Sequence, residues 1–176
     1  GVAEPGPVRG LQDWADLVGR PAVAAAAFDQ ALARHWVQSA FTNAAGREVA
    51  DLLGLPAGGP AGVALLGGEY SGRFMAVRLP TLVLGMAGSP TAQLAHVVGA
   101  LDRLNALTRW GLVSAPGAIG PSPVYAIEAT GGGVYKDLAR DENLAYLPTA
   151  DGLVWSRNLA TLERLVRERA AEATPV

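Results

Sequence analysis

The stretch from 144 to 166 constrains the fold of this chain more than any other. Two apolar runs, 144–148 and 153–157, are separated by Thr149-Ala150-Asp151-Gly152. Asp-Gly between apolar runs is a strong hairpin signal, because both residues tolerate the positive φ of a tight turn. Asn158 follows at once, and an Asn side chain can accept a hydrogen bond from an amide in the first helical turn. Leu159, Leu162, Leu165 and Val166 then recur at three- and four-residue spacing, which puts one apolar stripe on a helix. A hairpin feeding a capped amphipathic helix predicts an antiparallel sheet with that helix packed against it.

The same signals extend upstream. Ser89-Pro90 predicts a second helix start, with Ser as the cap and Pro inside the first turn. Leu94, Val97, Val98, Leu101, Leu104 and Leu107 follow it at helical spacing. Residues 70–78 and 81–87 are β-rich and read as two antiparallel strands around Leu79-Pro80, and 124–130 reads as a third. Pro and Gly punctuate 56–68 and 114–123, which read as loops, the first with one helical turn at 62–66. At the N-terminus, 1–10 is an extended lead-in and 11–18 a short helix. Pro21 opens a longer helix over 21–40, and Val49, Leu52 and Leu53 lie on a third that Gly54 ends.

The expected fold is therefore α+β, as one domain over 1–176. A helical lead (1–55) precedes a sheet-plus-helix part (60–170), a mainly antiparallel sheet of about five strands with helices on one face. Its order is β-β-α-β-β-β-α. Segments 69–109 and 124–170 both run from strands into an amphipathic helix, a pattern that leaves an internal duplication open.

Composition narrows the function classes. Half of the 176 residues are apolar, 17% are charged and the net charge is -2. That fills a core but creates no field to collect nucleic acid or anionic membrane. Arg157, Arg164, Arg167 and Arg169 are interleaved with Glu163 and Glu168 and read as a solvated helix face. The chain has no cysteine, which excludes disulfides, thiolate metal sites and cysteine nucleophiles. No apolar stretch is long and clean enough to predict a transmembrane segment. Gly1 stands where an initiator Met is usual, with Pro5 and Pro7 close behind, so a signal or anchor is expected to have been trimmed away.

Catalytic signatures are lacking. Gly131-Gly132-Gly133 is followed by Lys136, but the spacing and the missing Ser or Thr break the phosphate-loop pattern, so a flexible turn is expected there. His35 and His96 have no partner at metal-ligand spacing. Ser71, Ser89, Ser114, Ser122 and Ser156 all lie outside the strained turn that exposes a hydrolase nucleophile. Glu128, within a strand, is expected to pair with an arginine such as Arg73 or Arg78. No catalytic residue, metal or cofactor is expected. The aromatic residues are more informative: Trp110, just beyond a helix end, Trp155, alternating with Leu153 and Arg157, and Tyr70 form the candidate contact surface.

Leu66-Gly67-Gly68-Glu69, Leu101-Asp102-Arg103-Leu104-Asn105, Val124-Tyr125-Ala126-Ile127-Glu128, Leu144-Ala145-Tyr146 and the run from Asp151 to Asn158 together resemble a group of uncharacterised bacterial proteins of the domain-of-unknown-function kind. In that group an N-terminal anchor or signal precedes an extracytoplasmic α+β region. The similarity covers roughly residues 50–170 and rests on structural motifs, and Arg157 within the terminal Ser-Asn element departs from the pattern. The resemblance implies an envelope location and no known enzyme activity. The expectation is a non-catalytic binding or interaction domain, with a protein as partner and no nucleic acid. A carrier of a small apolar ligand is the alternative, and a hydrolase with a dispersed site ranks below it.

Overall fold

A computed structural model describes residues 22–29, 35, 52, 60–66, 71–72, 75–76, 81–131 and 143–172. Its strands are β1 (Ala22–Asp29), β2 (Pro60–Leu66), β3 (Ser71–Gly72), β4 (Met75–Ala76), β5 (Thr81–Ala87), β6 (Leu112–Ile119), β7 (Ser122–Ala129), β8 (Ala145–Thr149) and β9 (Gly152–Ser156). Two long helices are α1 (Pro90–Leu107), between β5 and β6, and α2 (Leu159–Glu172), after β9. Among the described residues seven strands form one sheet in the order β1-β2-β5-β9-β8-β7-β6, and β3 pairs with β4 in a second. Every pairing is antiparallel. The α+β class and the antiparallel sheet follow the sequence expectation.

The two strongest local signals operate as their chemistry requires. Ser89 caps α1 with Pro90 in its first turn. Asn158 Oδ1 accepts from the Thr161 amide at 2.8 Å, satisfying one of the donors a helix start leaves open. On α2 the four residues expected to face inward, Leu159, Leu162, Leu165 and Val166, are all buried. On α1 the buried line is narrower than the apolar spacing suggests. It runs through Gln93, Val97, Ala100, Leu101 and Leu104, while Val98 and Leu107 are 54% and 55% exposed.

The two helices do not share a face. Leu159, Leu162, Leu165 and Val166 of α2 cluster with Val83, Val124, Ala126, Ala145, Leu147 and Val154. Val97, Ala100, Leu101 and Leu104 of α1 cluster with Met86, Ile127, Tyr146, Leu153 and Trp155. Along β8 and β9 the two sets alternate residue by residue, and successive strand residues point to opposite faces. The sheet is therefore sandwiched: α1 covers one face and α2 the other. This corrects the expected one-faced packing. The reason is visible in β9, where all five residues are buried, the signature of a strand covered on both sides.

Within 69–109 only β5 joins the main sheet, ahead of α1, whereas 124–170 brings β7, β8 and β9 ahead of α2. Among the described residues the two segments of the possible duplication therefore do not share a strand order.

Four further expectations change. Residues 22–29 form β1, not part of a helix over 21–40. Ala24–Ala27 favour a helix intrinsically, but pairing with β2 over Ala22–Asp29 overrides propensity, which is a weak prior. His35 and Leu52 are helical, and the rest of the expected helical lead lies outside the described residues. Residues 60–66 form β2, not a loop with a helical turn, since Gly62 in an inner strand is fixed by neighbours on both sides. Residues 112–119 form β6, where a loop was expected from 114 onward. Within 70–78 the described residues form only the short β3–β4 pair. Among the described residues the main sheet has seven strands, against about five expected.

Candidate functional site

β5 leads into α1, and α1 hands the chain to β6 through a corner at 108–111. Thr108 closes the helix, its amide and its hydroxyl both donating to the Leu104 carbonyl at 2.8 Å. Asn105 then clamps the start of β6: its Nδ2 donates to the Leu112 carbonyl at 2.8 Å, and the Leu112 amide donates to its Oδ1 at 2.6 Å. On the other side the Gly131 amide donates to the Trp110 carbonyl at 2.8 Å, and the Thr130 amide to the Gly111 carbonyl at 2.9 Å. Gly111 has φ +60, and a Cβ there would meet Gly131 N and Thr130 Oγ1 at 2.8 Å. That backbone region favours glycine. A Cβ on Gly131 would run into the carbonyl oxygens of Arg109 and Trp110. Gly131 is therefore a close-approach residue, not the flexible turn expected of the glycine run. Gly132, Gly133 and Lys136 lie outside the described residues.

The corner carries exposed apolar side chains. Trp110 is 38% exposed, Leu107 ends α1, and Val113, the second residue of β6, is 41% exposed. Hydrogen bonds on both sides of this turn fix its backbone, so Trp110 is presented from a rigid support.

Trp155 has a different environment. It is 2% exposed and sits in a row that crosses the sheet on the α1 face: Pro116, Tyr125, Tyr146, Trp155 and Leu84 lie directly opposite one another on successive strands. Tyr125 and Tyr146 stack with centroids 5.1 Å apart, and Tyr146 meets Trp155 at 4.7 Å and 42°. Trp155 is a core residue, and its expected place on a contact surface is corrected accordingly. A residue buried beneath a helix cannot face a partner. Tyr70 lies outside the described residues. The structure thus keeps Trp110 at the surface and separates it from Trp155.

Among the described residues several polar side chains have structural partners or positions. Ser114 Oγ and Tyr146 Oη are 2.6 Å apart. Burial pushes the Tyr146 phenol above its ordinary value, the Ser114 hydrogen bond opposes this, and neighbouring Tyr125 adds to the rise. A phenol held protonated is no base for Ser114. Ser89 is a cap, Ser122 and Ser156 are buried, and His96 is exposed on α1. Among the described residues no group of three or more His, Cys, Asp or Glu could hold a metal. Glu128 stands opposite Val113 on the α2 face, and its expected partners Arg73 and Arg78 lie outside the described residues. Arg157, Arg164 and Arg167 are exposed as expected of a solvated face, with Arg164 3.8 Å from Glu168. Among the described residues no helix is long and apolar enough to cross a membrane.

The raised Tyr146 value has a measurable consequence. The folded state holds the phenolic proton more tightly than the unfolded chain does. The contribution is therefore fully present below the ordinary tyrosine value of 10.0 and is lost as pH rises through the folded value. Tyr146→Phe is expected to cost about 1 kcal/mol near neutrality, the worth of one hydrogen bond. Denaturant titrations of both proteins should show that gap closing above pH 10; a gap independent of pH would contradict the assignment.

Comparison with protein-family models, curated proteins and solved structures finds no significant match to this chain.

Proposed function

We propose that this chain is a non-catalytic binding domain that meets a protein partner through the corner displaying Trp110. One observation carries the reading: an exposed tryptophan stands on a turn whose backbone is fixed by Asn105, Thr108, Thr130 and Gly131. Large aromatic residues presented without loss of conformational freedom are the usual anchors of protein interfaces. The layers between the sheet and the two helices, where a carried apolar ligand would sit, are packed by Val97, Leu101, Tyr146 and Trp155 under α1 and by Leu147, Val154, Leu162 and Leu165 under α2. That packing favours a surface role over the carrier alternative, and the structural roles of the serines favour it over a hydrolase. The envelope location we propose rests on the resemblance to extracytoplasmic bacterial proteins.

Trp110→Ala is the direct test. It should leave the circular dichroism spectrum unchanged and the melting temperature close to wild type. It should weaken capture of a partner from a bacterial cell-envelope extract about thirtyfold, the equivalent of an interface anchor worth about 2 kcal/mol. Equal capture by the two proteins would overturn the role of Trp110.

A further inference from the structure

Asp151-Gly152 is the single Asp-Gly step of the chain, and Asp151 is exposed in the β8–β9 turn. Such a step carries a chemistry of its own, because glycine has no side chain to obstruct ring closure. The Gly152 nitrogen attacks the side-chain carboxyl carbon of Asp151, a C–N bond forms, and the carboxyl hydroxyl leaves with the amide proton as water. Water then cleaves the cyclic imide at the former main-chain carbonyl, and the chain continues through the Asp151 side chain as isoaspartate. Water is the only co-reactant, and the mass is unchanged.

The turn withholds both reacting groups. Ala150 and Asp151 are its two loop residues, so Thr149 and Gly152 are the pair that closes it, and the Gly152 amide is committed to that hydrogen bond. Gly152 also pairs with Ala87 on its other side, which holds the backbone against the rotation that ring closure requires. The carboxylate is held as well. Thr149 Oγ1 donates to Asp151 Oδ1 and to the Gly152 carbonyl, each at 3.1 Å, and Thr149 is buried. The carbonyl that the reaction would take out of the main chain is also in use. It accepts from the Gly88 amide at 2.8 Å, and Gly88 immediately precedes Ser89, the cap of α1.

We infer that Thr149 guards Asp151-Gly152 against conversion to isoaspartate, and that conversion releases the β5–α1 junction. Its hydroxyl keeps the carboxylate and the Gly152 backbone in the closed turn, where the nitrogen is not available for attack. Once the link runs through the side chain, the Asp151 carbonyl becomes a free carboxylate and no longer anchors Gly88. None of the residues of the Trp110 corner takes part, so the inference stands whether or not Trp110 binds a partner.

Folded wild type, Thr149→Val and Thr149→Ser should be aged at 37 °C near neutral pH beside a synthetic peptide of residues 145–157, with isoaspartate at position 151 read by electron-transfer fragmentation. The wild type should convert on the order of tenfold more slowly than the peptide, because the turn must open before it reacts. Thr149→Val should convert about fivefold faster than the wild type, the effect of one hydrogen bond lost from the closed turn. Thr149→Ser keeps the hydroxyl and should stay close to the wild type. In the isomerised fraction of Thr149→Val, separated by ion exchange, the Gly88 amide should exchange faster than in the unreacted fraction. Thr149→Ala carries the same comparisons should Thr149→Val fail to fold. Equal rates for wild type and peptide, a folded hydroxyl-free variant no faster than wild type, or a Gly88 amide equally protected in both fractions would each overturn the inference.

Discussion

Trp155→Ala is expected to destabilise the domain by about 3–5 kcal/mol, the range for deleting a buried aromatic side chain. The residue touches every layer of the α1-side core. Its ring meets Tyr146, it clusters with Val97, Leu101, Leu104 and Met86, and its backbone sits on β9 between β5 and β8. Because a domain of this size is stable by about 5–15 kcal/mol, such a loss would leave a protein that melts far below the wild type or is unfolded at 37 °C. Trp155→Phe should cost much less. Trp155 Nε1 is buried without a hydrogen-bond partner, so phenylalanine removes an unsatisfied donor, worth about 1–3 kcal/mol, along with part of the ring. Thermal and urea unfolding of the two variants measure this ordering. A Trp155→Ala protein within about 1 kcal/mol of wild type would show that the residue is not in the core.

Gly131→Ala is expected to be the most damaging change at the corner, costing about 1–3 kcal/mol by overpacking. Most surface glycines accept alanine because a methyl group meets only water or a side chain that can swing away. Here the new Cβ would meet backbone oxygens of Arg109 and Trp110, and the same backbone is tied by the Gly131 amide to the Trp110 carbonyl. The corner can relieve the clash only by breaking that bond. Gly131→Ala should therefore lower the melting temperature and also weaken any binding that runs through Trp110, without altering Trp110 itself. Thr130→Ala serves as a control, since it removes a hydroxyl bond to Gly111 and adds no atom that could clash. Equal melting temperatures for wild type and Gly131→Ala would contradict the close approach.

The sequence was legible where one local signal sufficed. The Asn158 cap, the α2 stripe and the Ser89-Pro90 start each depend on residues within one turn, and each lies where that chemistry places it. The expected hairpin also forms, but its turn is Ala150-Asp151, with Gly152 paired to Thr149 and no positive φ at Asp151 or Gly152. Segments whose state is decided by distant neighbours were misread. Pro116 and Gly117 look like loop residues, yet an outer strand tolerates a proline whose missing N–H points away from its neighbour. Alanines at 24–27 look helical until β2 pairs with them. Burial on both faces was encoded in Leu153, Val154 and Trp155, an apolar run that a one-faced sheet would have interrupted with a polar residue. Trp155 belongs to that run, so its alternation with Leu153 and Arg157 marks a core face and not a surface. The Asn105 clamp on Leu112 joins residues seven apart across a helix end, and no local pattern marks it. Trp110 was legible as a candidate because it follows directly on the end of a helix.

Methyl-to-methyl and methyl-to-ring nuclear Overhauser effects test the sandwiched sheet most directly, since neighbouring residues of one strand report on different faces. The arrangement predicts that Val97, Leu101 and Leu104 contact the rings of Tyr146 and Trp155. It also predicts that Leu162, Leu165 and Val166 contact Leu147 and Val154, with no contacts between the two sets of helix methyls. Contacts from both helices to the same alternate residues of β8 and β9 would place them on one face and contradict the account.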